Sequence, residues 1–458
     1  MVPSRAPLIS RVQVPGAALR TLAATRPAQC PVFLDSAAHG PLTRYSMLAF
    51  EPGAWLVRDA AGGLSSSGMQ IGPGGFLDNL GAWLRRESQP RDPGKPLPFL
   101  GGWLVFLAYE IAQEVEPVLR LPPAEGPYSA FALRVQHLAV FDHAQDAVYA
   151  VSADGDATTH ARLVALLESA AQHPLAESEE NPHVDRWAEE APEVHLERVR
   201  RAKEYISAGD IYQANLSRPW RLRLRAGSDP GLVYPALRRS NPAPFAACVQ
   251  FGGAMILSSS PERLLRVEGR TISTRPIAGT RRRTGDPDQD RRDTAELIAH
   301  PKERAEHIML IDLERNDVGR VCEAGSVTVD EYMVTETYAH VHHIVSNVRG
   351  TLRADATAVD ALRALFPGGT ITGCPKVRCM QIIAELEGEG RGAYTGSLGW
   401  LGTDGDADFN ILIRTLTLRG DRIDLRAGGG IVADSIPERE LEETRAKALG
   451  MLRAFEPT

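Results

Sequence analysis

The residues in this 458-residue sequence whose types and spacing could most readily do chemistry are two pairs of glutamates. Glu303 and Glu306 stand three apart in "PKERAEHIMLIDLERND", and Glu440 and Glu443 stand three apart in "PERELEETRAKALG". At helical spacing each pair projects from one side of its helix. Brought together, the two faces would suit Mg²⁺, a hard cation that takes oxygen ligands and shares its shell with water and an anionic substrate. The competing reading is solvated helix surface, because Arg304, Arg439 and Arg445 accompany the pairs. Ser435 and Glu438 read as a capping box for the last helix. Lys447 lies one turn beyond Glu443, where a helical salt bridge is the simplest role.

Other segments carry chemistry of a different kind. "RAGGGIV" (Arg426 to Val432) places three glycines at the end of an expected strand, either as bare backbone for an anion or as a bulge or turn. Arg414 in "ILIRT" is a charge within an apolar strand pattern, and its planar fork would match a carboxylate. "FPGGTITGCPKVR" has the glycine spacing of a phosphate loop, but Cys374-Pro375 replaces the Lys-Ser/Thr that such a loop needs. "AHVHHIVS" alternates His340 and His342 onto one face and His343 onto the other, which argues against a three-histidine metal site.

Composition bounds the rest. A net charge of −7 and a pI near 6 argue against nucleic acid as the main partner, so the run "TRRRTGD" is a local feature. "FLGGWLVFLAYEIA" is too short to span a membrane and contains Glu110. The first residues lack the apolar segment of a signal peptide, so export is not expected. Five cysteines without C-x-x-C spacing fit a reducing, cytoplasmic setting.

The elements that must position these residues follow from periodicity. "CPVFLDS", "GGWLVFLAYE" and "HLAVFDHAQDAVYAVSAD" read as strands, and "HARLVALLESAAQH" and "VHLERVRRAKEYISAG" as helices. "AESEENPHVDRWAEEAPEV" is acidic and punctuated by proline, and reads as a connector or a surface loop. "RLLRVEGRTISTRPI" suggests a strand pair around Glu268-Gly269, and "DTAELIAHPKERAEHIMLIDLERND" a helix. "YTGSLGWLG", "FNILIRTLTLRG" and "DRIDLRAGGGIVAD" suggest three strands before the last helix. Strands in runs indicate α+β with antiparallel sheets.

In this order, "GDIYQANLS", "SSSPERLL", "TRPIAGTRRR", "KERAEHIMLIDLERNDVGRV", "HVHHIVS", "FPGGTITGCPKVRCMQII", "YTGSLGW", "IRTLT" and "AGGGIVADSIPERELEET" resemble the chorismate-utilising enzymes. That family includes anthranilate, aminodeoxychorismate, isochorismate and salicylate synthases. The match runs from about Val194 to the C-terminus. "FLDS" and "RYSMLAFEP" resemble the family's amino-acid-binding segment, which implies a tryptophan pocket at Asp35, Ser36, Arg44, Tyr45 and Ser46. The resemblance implies two stacked, mostly antiparallel sheets with helices outside. Residues 1–185 would form an N-terminal region and 194–458 a chorismate-binding catalytic region, both within one fold.

The resemblance also implies roles. Glu306 and Glu443 would hold Mg²⁺, with Glu303 and Glu440 beside them. Tyr394, Arg414, Lys447 and the backbone of Gly429 and Gly430 would hold the two carboxylates of chorismate, with Thr280 and Gln213 also lining the substrate. Glu262 would be the general acid that protonates the departing C4 hydroxyl, a task that needs a raised pKa. His343 matches the family's active-site histidine. Gln213 stands where isochorismate- and salicylate-forming relatives carry a water-activating lysine, and glutamine cannot be that base. Ammonia is then the expected nucleophile, supplied by a separate glutamine amidotransferase subunit.

The spellings "FPGGTITGCPK", "QANLS" and "YTGSLGW" resemble the aminodeoxychorismate branch, which leads to 4-aminobenzoate and folate. Ala278 speaks for the anthranilate branch, because well-known aminodeoxychorismate synthases carry a nucleophilic lysine there. A non-catalytic regulatory relative is the alternative of another class. Cys374 and Cys379 read as small core residues.

Overall fold

Alternation within single strands builds two interiors at once. In Gly102–Leu107, Trp103, Val105 and Leu107 face one apolar cluster while Leu104 and Phe106 face another, as a period of two requires. The first cluster joins this strand to Phe76, Leu80 and Trp83 of the helix Phe76–Glu87 and to Ile311 and Val318 of Pro301–Gly319. The second lies between two sheets, with Phe106, Phe131 and Leu398 from one and Val32, Val249 and Ile256 from the other. A third covers the far side of that other sheet with Leu19, Leu163, Leu237 and Met451 from four helices. The layers therefore run helix, sheet, sheet, helix.

The computed structural model describes residues 6–38, 40, 42–175, 180–283, 285–337 and 341–456. The side chains at 278, 280, 282, 287, 298, 301–303 and 341 lie outside that description. Among the described residues the sheets have twelve and eleven strands. Each draws on both halves of the chain. In the first, Val32–Asp35 pairs with Phe245–Phe251; in the second, Gly102–Leu107 pairs with Ser397–Gly402. Both pairings are antiparallel.

Several elements differ from the sequence reading. The acidic connector contains the strand Val184–Glu189, which pairs along the edge of Gln213–Leu224. The expected long helix is two, Pro287–Ala299 and Pro301–Gly319, because His300 precedes a proline and takes an extended conformation (ψ 117°). The segment "FNILIRTLTLRG" is not one strand. Ala407–Asn410 belongs to one sheet and Thr415–Arg419 to the other, so residues 411–414 cross between them.

The last helix, Pro437–Leu452, follows an Ile436 N-cap without a side-chain cap. The Ser435 hydroxyl instead accepts the Val432 N–H at 3.1 Å, so the Ser435–Glu438 capping box does not form. Among the described residues no helix is long and apolar enough to cross a membrane. All five cysteines are free thiols.

Candidate active site

Two crossovers between the sheets set the centre of the site. Glu262 lies where the chain leaves Ala254–Ser260 for Arg263–Glu268, and Arg414 where it returns to Thr415–Arg419. The crossovers are tied together, with Ile411 N–H donating to Glu262 O at 3.0 Å and Ser259 N–H to Arg414 O at 3.0 Å. Arg414 adopts φ 52°, a left-handed conformation that costs a non-glycine residue and is held by its surroundings. The strand position expected from sequence is thus replaced by a buried charge at a bend, opposed by desolvation and favoured by the charge of Glu262.

Burial gives Glu262 its chemistry. It is 5% exposed, and Oε1 has no hydrogen-bond partner among the described residues. Burial pushes its carboxyl up to about 7, against the Thr370 hydroxyl, the Ile277 N–H and the positive charges of Arg414 and Lys447. Such a group can deliver a proton near neutrality. His343, on the strand Val341–Thr351, is buried; desolvation first, and Arg414 second, lower it to about 4, so its imidazole is neutral.

The three glycines lie inside the ladder of Arg422–Ile431, paired with Ser217, Leu216 and Asn215, and not at a bulge or turn. Their missing side chains make room for the site. A Cβ on Gly428 would stand 2.8 Å from the Tyr394 hydroxyl. One on Gly429 would stand 3.4 Å from both Glu440 Oε2 and Glu443 Oε1, and one on Gly430 would strike the Gln213 amide and stand 3.4 Å from Glu306 Oε1. Gln213 Nε2 donates to Glu306 Oε1 at 3.1 Å, while Gln213 Oε1 has no partner among the described residues. Lys447 Nζ binds Gly428 O at 2.9 Å and Glu443 Oε1 at 2.7 Å. Burial pushes the Tyr394 hydroxyl up to about 12, so it stays protonated as a donor.

Glu306, Glu440 and Glu443 thus each bring a carboxylate oxygen close to the glycine strand, and oxygen is the ligand type a hard divalent cation takes. Among the described residues no group of three or more His, Cys, Asp or Glu side chains is already drawn together as a metal cage. The Glu303 side chain lies outside the described residues, as do those of Ala278 and Thr280 and the whole of His340. The backbone of Ala278 pairs with Ile344 and that of Thr280 with His343.

Sequence reasoning missed the parts that hold this site. Lys376 binds Asp317 and the Pro367 carbonyl (2.8 Å), anchoring the glycine-containing loop from behind and leaving no lysine for a phosphate. Thr370 in that loop lies beside Glu262. Cys379 Sγ donates to Gln213 O at 2.9 Å, a core role beneath the site, while Cys374 is only partly buried.

A separate cavity of about 400 Å³ is lined by Asp35, Ser36, Arg44 and Tyr45 together with Lys95 and Arg263. Asp35 accepts from Tyr234 (3.0 Å), Arg238 (2.7 Å) and Ser46 (3.2 Å), and Arg44 pairs with Asp142. Ser46 thus supports this cavity through Asp35. Lys95 and Arg263 had no signal in the sequence, since their ion pairs to Asp406 and Asp408 join segments about 310 and 145 residues apart.

Residues 75–453 match the family described as chorismate binding enzyme. The chain is similar to anthranilate synthase component 1 of Streptomyces coelicolor, 44% identical over 397 residues that cover 82% of this chain and 77% of the relative. It is 41% identical to aminodeoxychorismate synthase component 1 of Bacillus subtilis over 367 residues, 78% of this chain and 77% of the relative. The crystal structure of anthranilate synthase component I from Streptococcus pneumoniae superposes with a TM-score of 0.79 at 32% identity, covering 90% of this chain and 93% of that one.

Proposed function

The chain belongs to the chorismate-binding enzymes, and from that premise we propose that it is component I of an aminodeoxychorismate synthase. In this reading chorismate and ammonia give 4-amino-4-deoxychorismate and water. Gln213 carries the reading away from water as nucleophile, because the amide at this position, whose nitrogen donates to Glu306, has no titratable amine to act as the base. Ammonia from a separate glutamine amidotransferase subunit is the nucleophile. The spellings "FPGGTITGCPK", "QANLS" and "YTGSLGW" support attack at C4.

Arg414, Lys447 and the Tyr394 hydroxyl bind and orient the two carboxylates, aided by the backbone of Gly429 and Gly430. Glu262, protonated by virtue of its burial, gives its proton to the departing C4 oxygen, which leaves as water. Neutral His343 faces the same charges without competing for that proton. Glu306 and Glu443, with Glu303 and Glu440 beside them, would hold Mg²⁺, which neutralises carboxylate charge on the substrate when bound. The cavity at Asp35, Ser36, Arg44 and Tyr45, with Ser46 behind it, would take an amino acid such as tryptophan.

Incubation with chorismate, Mg²⁺ and ammonium, followed by a lyase that releases 4-aminobenzoate, tests the reading by chromatography. The 4-amino product is expected; 2-aminobenzoate would refute C4 attack. That outcome belongs to the second reading, anthranilate synthase component I, which Ala278 favours because alanine supplies no nucleophile for a covalent route to C4.

A further inference from the structure

We propose that Arg391, which lies behind the site and does not line it, is a positioning residue that holds three of its walls in register; the substrate assignment rests on the reading above. Its side chain is 1% exposed. All five N–H donors of the guanidinium are used. Nε and Nη2 grip Glu387 at 3.0 and 2.7 Å, a bidentate pair, and Nη2 also reaches Asn215 O at 2.6 Å. Nη1 donates to Ile371 O at 3.1 Å and to the Thr395 hydroxyl at 3.4 Å. The guanidinium carbon lies 5.6 Å from the Tyr394 ring centroid and 4.9 Å from that of Tyr109.

Each contact leads to a wall. Asn215 is two residues from Gln213 and pairs with Gly430. Ile371 follows Thr370, the neighbour of Glu262. Tyr394 packs its hydroxyl against Gly428. Glu387 completes the brace by accepting Ser217 N–H at 2.8 Å and Arg426 Nη2 at 3.1 Å, so the glycine strand and the strand paired with it share one buried carboxylate. Only a planar fork with five fixed donors can meet these partners simultaneously; a lysine ammonium has three donors on one atom.

Arg391→Lys tests this, because it keeps the charge that Glu387 requires while losing the fork. Replacing Arg391 with alanine would leave the buried Glu387 carboxylate with Arg426 as its one remaining ion-pair partner among the described residues and would destabilise the fold, which obscures the reading. The expected result is a folded variant with a chorismate KM raised on the order of tenfold, the signature of misplaced binding groups, a lowered kcat from the loosened wall beside Glu262, and an ammonium KM within about twofold of the parent. Peptides spanning 213–217, 369–372 and 394–396 should exchange amide hydrogens faster.

An unchanged chorismate KM, or unchanged exchange in those peptides, overturns the proposal. If the parent chain does not consume chorismate, the assignment above fails while the exchange arm still decides the role of Arg391. Should the lysine variant not fold, Arg391→Met with Glu387→Met, an apolar pair of similar volume, is read by the same criteria.

Discussion

Glu262→Gln separates the proton that the site donates from the burial that makes it available. Burial raises this carboxyl from 4.5 to about 7, so the folded protein retains a proton that the unfolded chain has released over that interval. The unfolded state binds fewer protons there, and stability therefore falls as pH rises from about 4.5 to about 7 and remains lower above it. At 1.36 kcal/mol per pKa unit the interval corresponds to about 3 kcal/mol of penalty in the wild type above pH 7. Glutamine has the same shape and cannot ionise, so the variant escapes that penalty.

With an unfolding entropy of about 2.1 cal/mol/K per residue, 458 residues give roughly 1 kcal/mol/K, and the variant should gain roughly 3 °C in Tm over the wild type between pH 4 and pH 8. Turnover of chorismate with ammonium should fall about 10²- to 10⁴-fold, the usual contribution of a positioned acid. Differential scanning calorimetry across pH and product chromatography provide the two readings. A Tm difference that does not change with pH would refute the burial argument, and retained turnover would refute the proton-donor role.

Other perturbations probe the remaining parts. Gly430→Ala would drive a methyl into the Gln213 amide and loosen its bond to Glu306; a folded protein needing at least several-fold more Mg²⁺ for half-maximal rate is expected, read by metal titration. Glu306→Gln and Glu443→Gln should each weaken Mn²⁺ binding by tenfold or more, measured by water-proton relaxation without substrate. Gln213→Lys should give a hydroxylated chorismate product when ammonium is omitted, detected by chromatography. Burial lowers His195, His307 and His343 each from 6.5 to about 4, so stability should be lost as pH falls through that window; at pH 5 unfolding takes up between two and three protons at these sites, seen in the slope of Tm against pH.

Periodicity showed the α+β class and most of the helices and strands near the site, because alternation and helical spacing are local properties of the chain. It misplaced Arg414, since an apolar run crossing between two sheets looks the same as a run that stays in one. It placed Gly428 to Gly430 at the end of a strand, with a bulge or turn as the alternative, and the strand does end at Ile431; nothing nearby in sequence reveals that Tyr394, Glu440, Glu443 and Glu306 come close to them. Arg391 and Glu387 drew no attention at all, as an arginine four residues from a glutamate is ordinary helix-end surface until a buried setting is known.

The inventory and order of chemical groups are legible in the chain alone: a carboxylate in "SPER", glutamates at helical spacing, a glutamine in place of a base, and an alanine in place of a nucleophile. Those identities depend on covalent structure alone. The tertiary structure decided which groups meet, that Glu262 loses its water and is pushed up to about 7, and that Arg414 is buried at a bend within reach of Glu262's charge. Protonation depends on the dielectric and charges around a group, and here those come from segments up to 185 residues away, Glu262 beside Lys447, which only the packing of two sheets brings together.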